Sequence, residues 1–443
     1  MQKDGSKNDL KMLLLVGIIV AVITSEITII RIYGFVNPAP LLPLILSLFT
    51  VGVLVCCFGH TYISVRLRTI PNEFGKVKLG SVISVRYVIV LQVFVIGFMI
   101  ALLFQSLHTL SYSLILTTCI FLISYLFGII NLISISWKFI RWILTRANYV
   151  LVANAVAVIT LMVNIIFALL MVIDGLPFQP TSVHWNMGPV HYSYQSIFLL
   201  PYQISSIFAF TGIWVAIAIL LKNYSKRLGT RRFWFFISIP MIYFLAQFQP
   251  YLLDTLITYY QSEALKIVLV YTTAFSSSKT VGAILIGYAF WNTSRMIYQT
   301  EVRKFMRMAA FGITLLFISN QATSILNYYF PPFGILAISF LGVSSFMFLT
   351  GLYSSALSVA NDLQLRQSVR KSVQKEFALV SNMADAEMEN RLKSRVMGMT
   401  KRLSTVLVDE TGIEATLSDS EILEYASEAI NEVKITRKAL KDP

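Results

Sequence analysis

The chain has 443 residues, of which 56% are hydrophobic and only 13% charged, and its mean hydropathy is +0.71. Soluble domains carry about 25% charged residues, so this composition excludes an ordinary globular enzyme and indicates a membrane protein. The formal net charge of +14 is unevenly placed: residues 1–352 hold 23 Lys and Arg against 8 Asp and Glu, whereas residues 353–443 hold 13 against 14. A balanced tail lacks the clustered cations that nucleic-acid phosphates require, so no nucleic-acid partner is expected.

Ten apolar stretches reach the roughly 20 residues that a helix needs to cross a bilayer. They are 12–30, 41–63, 82–104, 112–135, 150–173, 197–221, 233–253, 265–291, 309–327 and 332–352. Apolar runs of this kind span as helices, because lipid offers the backbone no hydrogen-bond partner. The first is expected to be an uncleaved anchor, since its apolar run continues to Ile30 with no small-residue cleavage site. Cys56, Cys57 and Cys119 all fall within apolar runs and make neither a disulfide framework nor a zinc spacing. No cofactor and no metal are expected.

The loops set the orientation, because cytoplasmic loops are enriched in Lys and Arg. Alternation over ten spans puts 20 cations on one side, among them Lys11, Arg66, Arg86, Lys138, Arg141, Arg146, Lys222, Arg232 and Arg303. The other side receives two, Arg31 and Lys266. Both termini are therefore expected in the cytoplasm of a multi-pass cell-membrane protein. Trp137, Trp142 and Trp291 fall at inner span ends and Tyr259, Tyr260, Tyr328 and Tyr329 at outer ones, as interfacial aromatics should.

The longest outer loop runs from Asp174 to about Ser196 and contains His184, Trp185 and His191. A metal reading has His184, His191 and Asp174 converge on one ion; the preferred reading is an aromatic interfacial loop. It is the candidate outward-facing ligand surface.

Charge at bilayer depth is costly and marks function. Lys279 falls near the middle of the eighth span, within Ser276-Ser-Ser-Lys279-Thr280, while Glu26 lies in the outer half of the first and Asp254 at the outer end of the seventh. Lys279 is expected to face the bundle interior and pair with Glu26 or Asp254, either as a static pair or as part of a ligand or ion pathway. Asn154, Asn164, Gln203, Gln247, Gln249, Asn320 and Gln321 add amides that more often join helices than bind substrate.

The tail continues as helix. Apolar residues recur from Val369 through Phe377, Ala384, Leu392, Val396, Met399 and Leu403 to Leu407 at a mean spacing longer than the 3.5 residues of a coiled coil. A break, or a change of partner surface, is expected near Ser381–Glu389. Ser418-Asp-Ser-Glu421 is a capping-box pattern that opens a second helix over 419–438.

Tyr353-Ser-Ser-Ala356, Leu365-Arg-Gln-Ser-Val-Arg370 and Glu410-Thr-Gly-Ile413 resemble the tail of uncharacterised multi-spanning membrane proteins of ammonia-oxidising archaea. The resemblance implies lineage and architecture, and carries no activity.

A helix leaving a membrane bundle suggests a sensor kinase, yet no His follows His191 and too few residues remain for a nucleotide-binding domain. GxxxxGK[ST], HExxH and GxSxG are all missing, so no enzyme is expected. The fold class expected is all-α: a transmembrane bundle of about ten spans over residues 1–352, then a cytoplasmic helical tail over 353–443. The leading functional expectation is a non-enzymatic receptor or interaction protein, embedded in lipid, whose tail meets a protein partner or self-associates. The alternative is a secondary transporter with a polar site around Lys279.

Overall fold

The computed structural model describes residues 2–33, 39–73, 85–176, 181–185, 190–191, 196–222, 229–241, 263–295, 300–320, 327–328, 330–361 and 378–411, with five isolated positions besides. Helices α1 (Gln2–Tyr33), α2 (Leu42–Glu73) and α3 (Val85–His108) lead to strand β1 (Ser111–Ser113). Then come α4 (Leu114–Thr145), α5 (Tyr149–Gly175), β2 (Ser182–His184), β3 (Val190–His191), α6 (Leu199–Leu221) and α7 (Thr230–Ser238). The chain closes with α8 (Ala264–Arg295), α9 (Thr300–Ser319), β4 (Asn327–Tyr328), α10 (Ile335–Ser339), α11 (Leu341–Asn361) and α12 (Ala378–Thr411).

Among the described residues eight helical segments are long and apolar enough to cross a membrane, which defines an integral, multi-pass membrane protein. They lie in α1 to α6, in α8 and in the continuous run Ile335–Asn361. Two of the ten expected spans are not among them. The seventh is described only around α7, and residues 242–254 lie outside the described residues. The ninth forms as a helix, but α9 starts at Thr300 and stops at Ser319, so Arg303, Lys304 and Arg307 occupy its first half. The Arg307 guanidinium lies 4.8 Å from the centre of the Trp291 ring, an aromatic shelter for a cation next to apolar packing.

Hydroxyl side chains in these helices turn onto their own backbone. Thr24, Thr50, Thr272 and Thr314 donate to the carbonyl four residues back at 2.7–2.8 Å, a local solution where water is absent. Asn148 caps α5 by accepting from the Val150 amide at 2.9 Å. Leu44, Val51, Leu54 and Phe58 of α2, with Val90, Val93, Phe94 and Phe104 of α3, are exposed and form apolar outer surface suited to lipid.

At the centre stands α11, buried at every position from Leu341 to Ala360. Glycine makes this possible where α9 crosses it. A Cβ on Gly351 would meet Ala309 N at 2.5 Å and Phe305 O at 2.6 Å, and one on Gly312 would meet Phe348 N at 2.5 Å. The two backbones touch, as membrane helices do when small residues line their contact. On another side of α11, Asn131 of α4 donates to Ser345 at 3.2 Å.

Short antiparallel strand pairs join the loops at one end. β1 pairs with β2, Ser111 opposite His184, and β3 pairs with β4, Val190 opposite Tyr328.

Gly351→Ala is expected to destabilise the protein by about 1–3 kcal/mol, because the new methyl meets backbone and not a flexible side chain. Gly17→Ala, where a Cβ finds nothing within 4 Å, should be neutral or slightly stabilising. Unfolding in detergent by far-ultraviolet circular dichroism checks the contrast, and equal midpoints for the two variants would refute the close contact.

Candidate functional site

Glu26 of α1 is 2% exposed, and its carboxylate is the hub of a backbone site. Oε1 accepts one hydrogen bond from the amide of Gly334 and a longer one, 3.3 Å, from Leu336; Oε2 accepts from Ala337 at 3.1 Å. These amides open α10, where a helix leaves its first N–H groups without intrahelical partners. Gly334 has φ +96°, a left-handed turn that glycine adopts without strain, and this turn aims the amides at one point. The site is deep: a Cβ on Gly52, ten residues into α2, would meet Leu336 at 2.7 Å.

Lys279 of α8 is 5% exposed and faces the interior, as its sequence position implied. Its Nζ donates to the carbonyl of Asn320 at 2.9 Å, at the end of α9. Asn320 Nδ2 donates to Asn164 Oδ1 at 2.8 Å, and Asn164 Nδ2 donates at 3.2 Å to Tyr202 O and Ser205 Oγ. An ammonium and two amides thus tie α8, α9, α5 and α6 into one network. Ser276 and Ser278 do not solvate the amine: they donate to Thr272 O and Phe275 O, both at 2.8 Å.

The direct Glu26–Lys279 pair expected from the sequence is not among the described ion pairs. The two residues are close in sequence terms to one contact, Thr24 Oγ1 to Thr280 Oγ1 at 2.6 Å, which joins α1 to α8. Yet three amides already satisfy the carboxylate, and the positive end of a helix suits it as an ammonium would. Asp254 lies outside the described residues. Sequence reasoning missed Gly334 because a left-handed turn at depth leaves no charge to notice; the only signal was the Pro331-Pro-Phe-Gly334 run before an apolar stretch.

His60 was also passed over. It is fully buried in α2, bonded through Nε2 to Ser339 Oγ at 2.9 Å and stacked on Phe340 with centroids 4.0 Å apart. It clamps α2 to the junction between α10 and α11.

In the outer loop, Trp185 is partly exposed and its amide donates to Leu110 O at 3.1 Å. Asp174 accepts from Ser196 Oγ at 2.7 Å, and Ser196 Oγ accepts from the Phe198 amide at 3.2 Å, so this carboxylate braces the start of α6. His184 Nε2 lies 3.4 Å from Ser182 Oγ. His191 sits on the other strand pair, and its side chain lies outside the described residues. Among the described residues no three His, Cys, Asp or Glu side chains converge as metal ligands.

A further buried polar cluster among the described residues, with no signal in the sequence pattern, lies where the tail meets the bundle. Glu387 of α12 is buried; Oε2 accepts from Trp142 Nε1 at 3.1 Å, and Oε1 accepts from Tyr353 OH at 3.1 Å and Arg391 Nε at 3.3 Å. Asp385 forms a close ion pair with Arg146, and Asn390 accepts from Thr145 at 2.8 Å. Lys138 Nζ lies 4.2 Å over the Tyr353 ring. Leu379, Val380, Met383, Ala384 and Ala386 bury the apolar face beside them. No break occurs between Ser381 and Glu389, because Ala378–Thr411 is one helix. Its apolar spacing drifts because the first turns pack on the bundle and the later ones do not. The second helix expected over 419–438 lies outside the described residues, except that Glu421 and Glu428 are helical.

Compared with known proteins, the chain matches no family model, no curated protein and no solved structure.

Glu26→Ala is expected to cost about 1–3 kcal/mol or more, since it leaves buried amides without an acceptor. Glu26→Gln, which keeps one oxygen, should cost less. Combined with Lys279→Met, the Glu26→Gln effect should add to within about 0.5 kcal/mol, as for groups that do not touch. A coupling above about 1 kcal/mol in that double-mutant cycle would restore the direct pair.

Proposed function

We propose that the protein is a non-enzymatic membrane receptor or signal-transducing protein of the cell membrane, with both termini in the cytoplasm and α12 as its output. The observation that carries this reading is Glu387. One buried carboxylate bonds to Trp142 of α4, to Tyr353 of the central helix α11 and to Arg391 of the tail. Removing any partner leaves a charge or a donor uncompensated, so a change in the relation of α4 to α11 is felt by the tail. The loop cations support the orientation, since the tail docks beside Arg146, on the side that alternation makes basic. Tyr353, which belongs to the archaeal-type tail motif, sits in this junction, and kinship with those membrane proteins is part of the proposal. An output helix implies a cytoplasmic protein partner or a second copy beyond the docked turns.

A second reading, secondary transport, is favoured by one observation: Lys279 and the Asn320–Asn164 amides form a buried polar layer across four helices. Half-helices and polar layers at depth line the paths of many transporters.

Hydrogen exchange on the reconstituted full chain separates them. Under the receptor reading, Glu26→Gln changes amide protection at 379–391, while solute and proton flux stay at the level of empty vesicles. Flux above that level, abolished by Lys279→Met in a folded protein, would replace the receptor reading with transport. Glu387→Gln should raise exchange at 379–390 by roughly 10-fold, the equivalent of about 1.4 kcal/mol for one lost charged hydrogen bond. Unchanged exchange would mean that Glu387 does not hold the tail.

A further inference from the structure

Beyond the docked turns, α12 presents a face that the bundle does not cover. Leu392, Val396, Met399 and Leu403 are 41%, 38%, 64% and 60% exposed. At about 100° per residue they fall within a stripe roughly 60° wide. Gly398 has open space around it, with nothing within 4 Å of a built Cβ.

The charges beside this stripe are mostly basic, and the one carboxylate at its start, Glu389, pairs with Lys393 at 3.6 Å. The tail is nearly neutral as a whole, but between Asn390 and Asp409 it contains Arg391, Lys393, Arg395, Lys401 and Arg402 and no carboxylate. Arg395 and Arg402, both exposed, fall about 70–90° from the stripe's centre on one side, and Lys393 about 90° on the other. Cations at the edges of an apolar stripe can hold headgroup phosphates while the stripe enters the acyl boundary.

Position favours the same occupant. Arg391 Nη1 donates to Asn361 Oδ1 at 3.2 Å, and Asn361 is the last residue of the membrane-spanning run Ile335–Asn361. The stripe therefore starts at the level where a span ends. Being tethered there, it needs only weak intrinsic affinity for lipid, because its effective concentration at the surface is high.

A second copy fits less well. Pairing along this stripe would set the Arg395 and Arg402 edges against each other, with Glu389 already paired to Lys393, and four residues over 392–403 make less than two heptads. We infer that residues 391–403 of α12 bind the surface of the membrane itself, with Leu392, Val396, Met399 and Leu403 in the acyl boundary and Arg395 and Arg402 on anionic lipid headgroups. This inference is independent of the receptor and transporter readings.

The test uses the full chain in nanodiscs, with Cys56, Cys57 and Cys119 replaced by alanine and one fluorophore attached through Met399→Cys or Ser394→Cys. Ser394 is exposed on the opposite face of the helix. Lipids brominated on their acyl chains should quench the label at 399 and spare the one at 394 when phosphatidylglycerol is present. In phosphatidylcholine alone, at high salt, or with Arg395→Gln and Arg402→Gln together, quenching at 399 should be lost. These substitutions are on exposed side chains, and a monodisperse elution profile confirms that the bundle is intact. Equal quenching at both positions, or none at 399 in anionic lipid, overturns the inference. A short label-to-label distance between copies, unchanged by lipid composition, overturns it in favour of self-association.

Discussion

A helix that begins inside a membrane must find acceptors for its first amides, and in this protein one carboxylate supplies them. Glu26 reaches from α1 to Gly334, Leu336 and Ala337, and so fixes where α10 and α11 start. In water those amides would be hydrated at little cost; in hydrocarbon each unpaired one costs several kcal/mol. The Glu26 carboxyl group in turn is tolerable at depth only because three donors converge on it. Neither group is tolerable alone, which makes the contact between α1 and α10 obligatory. From that fixed start, α11 runs through the bundle with no lipid-facing residue between Leu341 and Ala360.

Burying one helix on all sides places a steric demand on its neighbours. With Phe346, Phe348 and Phe340 filling space around α11, close approach elsewhere must come from residues without bulk. Gly351 and Gly312 provide it against α9, Gly342 lets Ser124 and Phe127 of α4 approach, and Gly128 accommodates Leu341. Dispersion contacts of this kind hold membrane helices together where apolar burial brings no gain over lipid. His60 adds the polar clamp at the α10–α11 junction, its ring lying flat on Phe340.

The membrane character, the helices and most span positions were legible in the sequence because each rests on one-dimensional signals: apolar length and loop charge. Lys279 was legible as an inward-facing residue for the same reason, since an ammonium toward hydrocarbon is costly. Its bond to the Asn320 carbonyl was not, because backbone groups freed at the end of α9, like those freed by the left-handed Gly334 beside Glu26, serve buried charged side chains as well as opposite charges do. Such groups carry no mark in a composition or a hydropathy profile. The ninth span shows the converse. Its apolar window was placed by hydropathy, but the helix extends through Arg303, Lys304 and Arg307, since helix formation does not stop where a hydropathy window does and Trp291 shelters Arg307. Of the two explanations for the tail's drifting apolar spacing, the break is absent and the change of partner surface is the one observed, since one helix leaves the bundle partway.

Two carboxylates therefore act on the same buried rod from opposite ends. Glu26 holds the amides at its start, and Glu387 holds Tyr353 sixteen residues beyond Ala337, about 24 Å along the axis. A helix enclosed by close-packed neighbours does not bend to absorb a displacement; it shifts as a unit or stays. Any rearrangement that moves α1 against α10 is consequently borne by α11 as a whole. On the proposed receptor reading it would arrive where Tyr353 of α11 and Trp142 of α4 both donate to Glu387, while the Arg391 bond stays within α12. Because the amides at one end and the indole and phenol at the other are fixed donors on rigid helices, intermediate positions leave a buried carboxylate partly unsatisfied. On the proposed receptor reading, that penalty would couple motion of the bundle to the docking of the tail.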